Sequence, residues 1–354
     1  MKICILSIVN IKHMSAASLY MDYFRDNGIK YDIIYIDKYS HQEKVYAEKI
    51  YRFDIKINPN WSKIKKMIKY FTFRKYAKNI LTKNKYDLVI TWGTETALLF
   101  ADYLMMKLKN RYIVNIRDYA NINNNIKYLL LKEIISKSKF TTISSNGFKV
   151  FLPKKEYILV HSLNRSILDN ANVHTGLKEK NDKIKICFLG NVRFYYNDKK
   201  LMDALGNDNR FILQYFGIGS EVLKHYANRN NISNVEFVNS FDLEQTAELL
   251  DRADIINNLY GYNDIALDTA VSIKYYYAVY LRLPIMVFKG TYMEQMAYDI
   301  SFVFDGNYDN LGNKIYEWYH SIDFEKFKLN CNKKMQSIDD ENMKFYYELS
   351  KCVK

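Results

Sequence analysis

Short apolar runs and longer amphipathic stretches alternate along most of the chain. In the first half, apolar runs at 2–9, 31–36, 87–91, 112–116 and 140–144 are too short for helices and rich in Ile, Val and Tyr, so they predict strands. Between them, apolar residues recur every three or four positions at about 16–27, 62–83, 95–108 and 123–136, which predicts helices. Ser15 is the expected N-cap of the first helix. A further strand is expected at 157–160. The second half repeats the alternation, with strands at 184–189, 211–216, 235–238, 255–259 and 285–288 and a short one at 302–304. Its helices are expected near 199–205, 221–230, 243–252 and 273–281, followed by an amphipathic tail over 324–351.

Strands alternating with helices imply parallel sheets covered on both faces. The polar, aperiodic stretch after the strand at 157–160 separates two such series. The chain is therefore expected to be α/β, with two Rossmann-like domains facing a cleft: 1–165, a linker at 166–182, and 183–322. The helical tail, 323–354, is expected to pack back toward the first domain.

Composition narrows the function. The 354 residues include 49% hydrophobic residues, 3 Pro and 12 Gly, enough apolar content for two cores and little for flexible linkers. No run is apolar enough to span a bilayer, and the N-terminus reads as a strand rather than a signal peptide, so a soluble, cytoplasmic protein is expected. Cys4, Cys187, Cys331 and Cys352 form no metal-binding pattern, and no metal is expected. The net charge of +13 calls for an anionic partner: nucleic acid, a membrane surface or a phosphorylated small molecule. No helix-turn-helix, zinc-finger or RNA-binding aromatic signature is present, so no nucleic acid is expected. Residues 61–85 hold no acidic residue, and Ile64, Met67, Ile68, Tyr70 and Phe71 recur at helical spacing among lysines. Two readings stay open: a helix on an anionic membrane surface, placing the protein peripherally on the inner face of the plasma membrane, or a basic surface helix whose apolar stripe enters the core.

The second half carries the better phosphate chemistry. Gly190 and Arg193 follow its first strand, with Lys199 and Lys200 just beyond. Gly217-Ile-Gly219 follows the next strand and opens a helix, whose N-terminal amides favour an anion. Ser272-Ile-Lys274 precedes Tyr277 and Pro284, and Gly290-Thr291 follows the next strand. This order resembles the C-terminal domain of GT-B glycosyltransferases, nearest to family-4-like enzymes of bacterial capsule and surface-polysaccharide synthesis. The resemblance implies a nucleotide-sugar donor (UDP favoured), no cofactor, and a glycan or lipid-diphosphate-linked acceptor held by the first domain. Carried over by position, Arg193 meets the donor diphosphate, Lys274 is the basic residue near the phosphates, and Gly190, Lys199, Gly217, Gly219 and Ser272 belong to the donor site. Gly290 and Thr291 match the loop that faces the donor sugar. The pattern departs at Tyr277 and Thr269, where the family places glutamates; Tyr277 is kept in the donor site by position, and Asp268 beside Thr269 either stands in for the carboxylate there or has a capping or surface role. The family's Gly-Gly loop after the first strand is also missing. These departures keep open a catalytically degenerate partner protein, and the architecture keeps open a nucleotide-sugar epimerase.

In the first half, His13 lies in the loop after the first strand, and Arg117-Asp118 follows the strand at 112–116. Carboxyl ends of parallel strands face the ligand crevice of such folds. Asp118 and His13 are therefore the candidate catalytic groups, orienting or deprotonating an acceptor hydroxyl, with Arg117 meeting phosphate. The plain alternatives are a loop salt bridge for Arg117-Asp118 and an isolated imidazole for His13. Glu95 opens a helix, facing either the helix dipole or an acceptor.

Overall fold

A computed structural model describes the whole chain except residues 15, 41, 42, 44, 57, 59, 121, 123 and 354 and the side chain of Lys63. The chain divides into two compact units, Met1–Ser162 with Asp340–Lys354, and Leu163–Asp339. Each is a parallel sheet dressed with helices.

Unit 1 runs β1 (Ile3–Ser7), α1 (Ala17–Asp26), β2 (Tyr31–Asp37), β3 (Lys49–Asp54), α2 (Lys63–Asn84), β4 (Leu88–Trp92), α3 (Thr94–Leu99), α4 (Ala101–Lys107), β5 (Tyr112–Ile116), α5 (Asn125–Ser136), β6 (Phe140–Ile143) and β7 (Ile158–Leu159). Its strands are ordered β3-β2-β1-β4-β5-β6-β7. Unit 2 runs β8 (Ile184–Leu189), α6 (Tyr195–Leu205), β9 (Phe211–Phe216), α7 (Ser220–Arg229), β10 (Val235–Val238), α8 (Thr246–Asp251), β11 (Ile255–Asn257), α9 (Ile265–Thr269), α10 (Ile273–Leu281), β12 (Ile285–Phe288), α11 (Tyr292–Ala297), β13 (Ser301–Phe304), α12 (Leu311–Ser321) and α13 (Phe324–Val353), with strand order β10-β9-β8-β11-β12-β13. In both units the order reverses beside the first strand, between β1 and β4 and between β8 and β11. Ligands of such sheets bind outside the carboxyl ends at that switch point.

The central strands are buried on both faces, which is why they read as continuous apolar runs. β3 escapes that signal. It is an edge strand, Lys-Ile-Tyr-Arg-Phe-Asp, exposed along much of its length, with Phe53 packing on Phe73 and Tyr76 of α2 at ring distances of 5.7 and 5.0 Å. The helix expected over 95–108 divides at Phe100 into α3 and α4. Short α9 and α11 and the longer α12 were not anticipated. Ser15 and Asn123 lie outside the described residues; α5 starts at Asn125, capped by the Asn124 side chain. Residues 166–182 belong to unit 2, and Leu168 is buried in its core.

α13 serves both units. Cys331 and Ile338 sit in the core of unit 2, whereas Phe345 and Leu349 are fully buried in that of unit 1 with Ile3, Ile5, Tyr20 and Phe24. The rings of Phe345 and Tyr20 meet edge-on at 4.7 Å. Two polar contacts fix the same turn: Glu341 accepts from His161 Nε2 at 2.5 Å, and Asn342 Oδ1 accepts the His161 amide at 3.0 Å. The tail thus packs on the first domain.

Removing the Phe345 ring leaves a cavity under α1, and Phe345→Ala is expected to cost unit 1 about 3–5 kcal/mol. Denaturant unfolding reads this as a lowered midpoint; an unchanged midpoint would show that the tail is not part of that core.

Candidate functional site

The two loops at the carboxyl ends of β8 and β9 are pressed together. The amides of Gly190 and Val192 donate to the carbonyls of Phe216 and Ile218 at 2.8 and 2.9 Å. A Cβ on Gly217 would lie 1.9 Å from the Gly190 carbonyl oxygen, and one on Gly219 2.3 Å from that of Val192. Both glycines also have positive φ, +137° and +94°, a region that side chains disfavour. Loop-to-loop packing therefore already demands these glycines, and it sets the loop carrying Arg193 against the start of α7.

Beside β8 lies a buried polar group that sequence reading missed in part. Lys274, in the first turn of α10, is 1% exposed. Its ammonium lies 3.9 Å from the centroid of the Phe188 ring and 4.3 Å from that of Tyr260, and it donates to the Tyr260 hydroxyl. Such a cage stabilises a desolvated cation. Asp198, on α6, is equally buried. It accepts from Asn257 Nδ2 at 3.3 Å on one oxygen, while the other meets no hydrogen-bond partner among the described residues. Burial raises the Asp198 carboxyl to about 7, opposed by the positive charge of Lys274 and by the Asn257 bond. Arg193, by contrast, is exposed. It lies 5.1 Å from the Phe194 ring centroid, and Phe194 packs on Tyr260 at 4.9 Å. Arg193, Phe194, Tyr260 and Lys274 thus form a continuous series at the β8–β11 switch point.

The remaining second-half candidates have partners of their own, and Tyr277 lies in the core and not at a donor surface. Ser272 caps α10 by accepting the Lys274 amide at 3.3 Å, and its own amide donates to Met293 Sδ at 3.4 Å, joining the starts of α10 and α11. Thr291 caps α11, and the Gly290 amide donates to Glu294 at 2.7 Å, so Glu294 closes that loop. Asp268 is half-buried in α9, its carboxyl raised mainly by burial. Lys199 extends over Tyr226 of α7, 5.1 Å from the ring centroid, and Lys200 is exposed. Tyr277 is packed in the core of unit 2, its hydroxyl pushed up to about 12 by burial, and Thr269 is buried and bonds back to the Ile265 carbonyl.

In unit 1 the switch point holds a pocket of about 210 Å³. His13, Glu95, Arg117 and Asp118 all line it, together with Trp92, Thr94 and Tyr119. The structure thus brings together both candidate catalytic groups and their two neighbours. Asp118 and Glu95 are exposed carboxylates. Arg117 is buried; it donates to the Val160 carbonyl at 3.3 Å and to the Ser162 hydroxyl, fixing the loop that presents Asp118. His13 shares a hydrogen bond of 2.9 Å with the Tyr39 hydroxyl. Desolvation and then Lys12 hold its imidazole below the ordinary value. Thr94, which sequence reading missed, is buried on the pocket wall, and its hydroxyl meets no hydrogen-bond partner among the described residues.

The loop after β1 has its own occupant. Glu43 accepts the amides of Ile11 and Lys12 at 2.9 and 2.6 Å, and the Asn10 side chain at 3.2 Å. An internal carboxylate therefore takes up the amides of the loop whose sequence lacks the Gly-Gly pair. Among the described residues, no group of three or more His, Cys, Asp or Glu side chains is placed to hold a metal.

Two expectations follow. Gly217→Ala is expected to destabilise unit 2 by about 3 kcal/mol or more, because the added carbon meets backbone that cannot yield; full stability in thermal unfolding would contradict the loop packing. Asp198 binds its proton more tightly folded than unfolded, so it weakens the fold as pH rises from about 4 to 7, by at most about 1.4 kcal/mol per pH unit. In Asp198→Asn the thermal midpoint should fall less over that range than in the parent; parallel pH profiles would contradict the assignment.

No family model matches the chain, and no curated protein matches it by sequence. Solved structures do match its fold. Sucrose-phosphate synthase from Thermosynechococcus elongatus superposes with a TM-score of 0.74 at 11% identity, over 99% of this chain and 98% of that one. HepE from Anabaena, in complex with UDP and glucose, gives 0.65 at 10% identity over 99% and 100%. UDP-GlcNAc 2-epimerase from Neisseria meningitidis, bound to UDP-GlcNAc, gives 0.62 at 12% identity over 99% and 100%. The chain has the GT-B fold, with two Rossmann-like parallel-sheet domains.

Proposed function

We propose that the chain is a glycosyltransferase that moves a sugar from a nucleotide-diphosphate donor, UDP-sugar favoured, to a glycan or lipid-diphosphate-linked glycan in surface-polysaccharide synthesis. One observation carries the reading: an exposed Arg193 and a buried Lys274 are linked through Phe194 and Tyr260 at the switch point of unit 2. The likeness to HepE with UDP and glucose supports the donor class.

On this reading unit 2 holds the donor. The acceptor oxygen bonds to the anomeric carbon, and the bond from that carbon to the diphosphate oxygen breaks. Arg193 and Lys274 meet the charge gathering on the departing diphosphate, without a metal. The unit 1 pocket holds the acceptor, whose hydroxyl proton passes to Asp118 or His13. The Thr94 hydroxyl supplies a further polar contact to a sugar there.

Two other readings have observations of their own. The likeness to the epimerase favours nucleotide-sugar epimerisation on the same fold. The burial of Tyr277 and Thr269, where the resemblance expects glutamates, favours a degenerate partner protein.

Arg193→Ala is the cleaner test because Arg193 is exposed. It is expected to lower transfer by about a hundredfold or more with the thermal midpoint unchanged. Lys274→Ala should lower transfer as far, with some loss of stability because Asp198 loses its counter-charge. Parent rates in both variants would discard the donor site. UDP-sugars should raise the thermal midpoint of the parent; a midpoint unmoved by UDP-, GDP- and CMP-sugars alike would favour the partner protein, and epimerised donor without an acceptor-linked product would favour the epimerase.

A further inference from the structure

α2 carries apolar side chains on two opposite faces. At about 100° per residue, Phe73 lies about 180° around the helix from Ile64. Phe73, Ala77 and Leu81 form the buried face, with Phe73 against Phe100, between α3 and α4, at 5.9 Å. The stripe of Ile64, Met67, Ile68 and Phe71 faces outward instead, with exposures of 66, 52, 58 and 52%. The basic segment's apolar stripe is therefore not its core face. The second half of α2 is anchored to the sheet, and Arg74 and Lys78 both pair with Asp102 at 2.6 Å. The first half presents apolar surface that the described residues leave open.

The charge beside that stripe has one sign. No acidic residue occurs between Asp54 and Asp87. Lys65 and Lys69 flank the stripe, their ammonium groups 4.6 and 5.9 Å from the Trp61 ring centroid. An exposed Ile-Met-Phe surface, with a half-buried Trp61 beside it and edged by lysines, matches a bilayer with anionic headgroups, where apolar side chains enter the acyl boundary and ammonium groups stay with phosphate.

The first half of α2 connects to the unit 1 pocket through the segment after β2. Lys38, just past the carboxyl end of β2, sits 5.7 Å from the centroid of Tyr70 on the first half of α2. The next residue, Tyr39, hydrogen-bonds His13, which lines the pocket. We propose that the first half of α2 seats the chain on an anionic bilayer and that the unit 1 pocket takes an amphiphilic acceptor from that bilayer. The second clause rests on the transferase reading; the first does not.

The test uses the full chain and vesicles, of phosphatidylcholine alone or mixed with phosphatidylglycerol. The chain is expected to float with the mixed vesicles and not the neutral ones, and salt should weaken the binding. Ile68→Glu with Phe71→Glu should lower it at least about tenfold, and Lys65→Glu with Lys69→Glu by about tenfold or more. Thermal midpoints should stay put because these side chains are exposed. Failure to bind the mixed vesicles at low salt, or binding indifferent to Ile68→Glu/Phe71→Glu, would overturn the proposal. So would a self-associated parent that this pair turns monomeric, which would make the stripe a contact with a second copy. For the acceptor, Ile68→Glu/Phe71→Glu should slow transfer to a vesicle-borne acceptor and leave transfer to a soluble glycan unchanged; equal slowing of both would overturn the second clause. Absence of transfer to either acceptor by the parent would count against the transferase reading, while flotation would still decide the membrane seat.

Discussion

The buried ammonium of Lys274 is the constraint around which the end of unit 2's sheet is organised. A desolvated cation persists only with compensating partners, and three different elements supply them. Phe188 comes from β8, Tyr260 from the segment after β11, and Asp198 from α6. Each partner in turn orders something else: Tyr260 packs on the residue beside Arg193, and Asn257 bonds Asp198. A single buried basic residue thus sets the local arrangement of strand ends. The imbalance within the group, one carboxylate oxygen without a partner and a carboxyl raised to about 7, fits a site arranged for binding as well as for stability.

Much of the fold was legible because parallel strands buried on both faces need no neighbour to explain them. The runs at 184–189 and 112–116 match β8 and β5 end to end. β3 was hidden because an edge strand mixes Lys, Arg and Asp with its inward Tyr and Phe. The helical period in α2 was legible, but not which face the core would take. Periodicity identifies an apolar stripe, whereas the sheet selected Phe73, Ala77 and Leu81 and left Ile64 and Ile68 outside.

The site was legible in proportion to how local its signals are. Residues just past a strand end, such as Arg193, Asp118 and His13, could be placed from chain order alone. Asp198 could not: between Asn197 and Lys199 it reads as helix surface, and only the packing of α6 against the sheet buries it. Thr94 and Glu43 were missed for the same reason, since a pocket wall and a carboxylate that caps a distant loop depend on tertiary contacts. Gly217 and Gly219 show the opposite hazard. Their spacing matches a ligand loop, yet the approach of neighbouring backbone is enough to require them.

The division of α13 has a consequence for biogenesis. During synthesis the first sheet emerges early, but the apolar plug that seals it, Phe345 with Leu349, follows only after unit 2. Until then the hydrophobic surface around Tyr20 and Phe24 stays uncovered while the whole second unit is being made. Truncations that remove Phe345 and Leu349 should thus behave as defects of the amino-terminal half, and that half expressed by itself should be prone to aggregate.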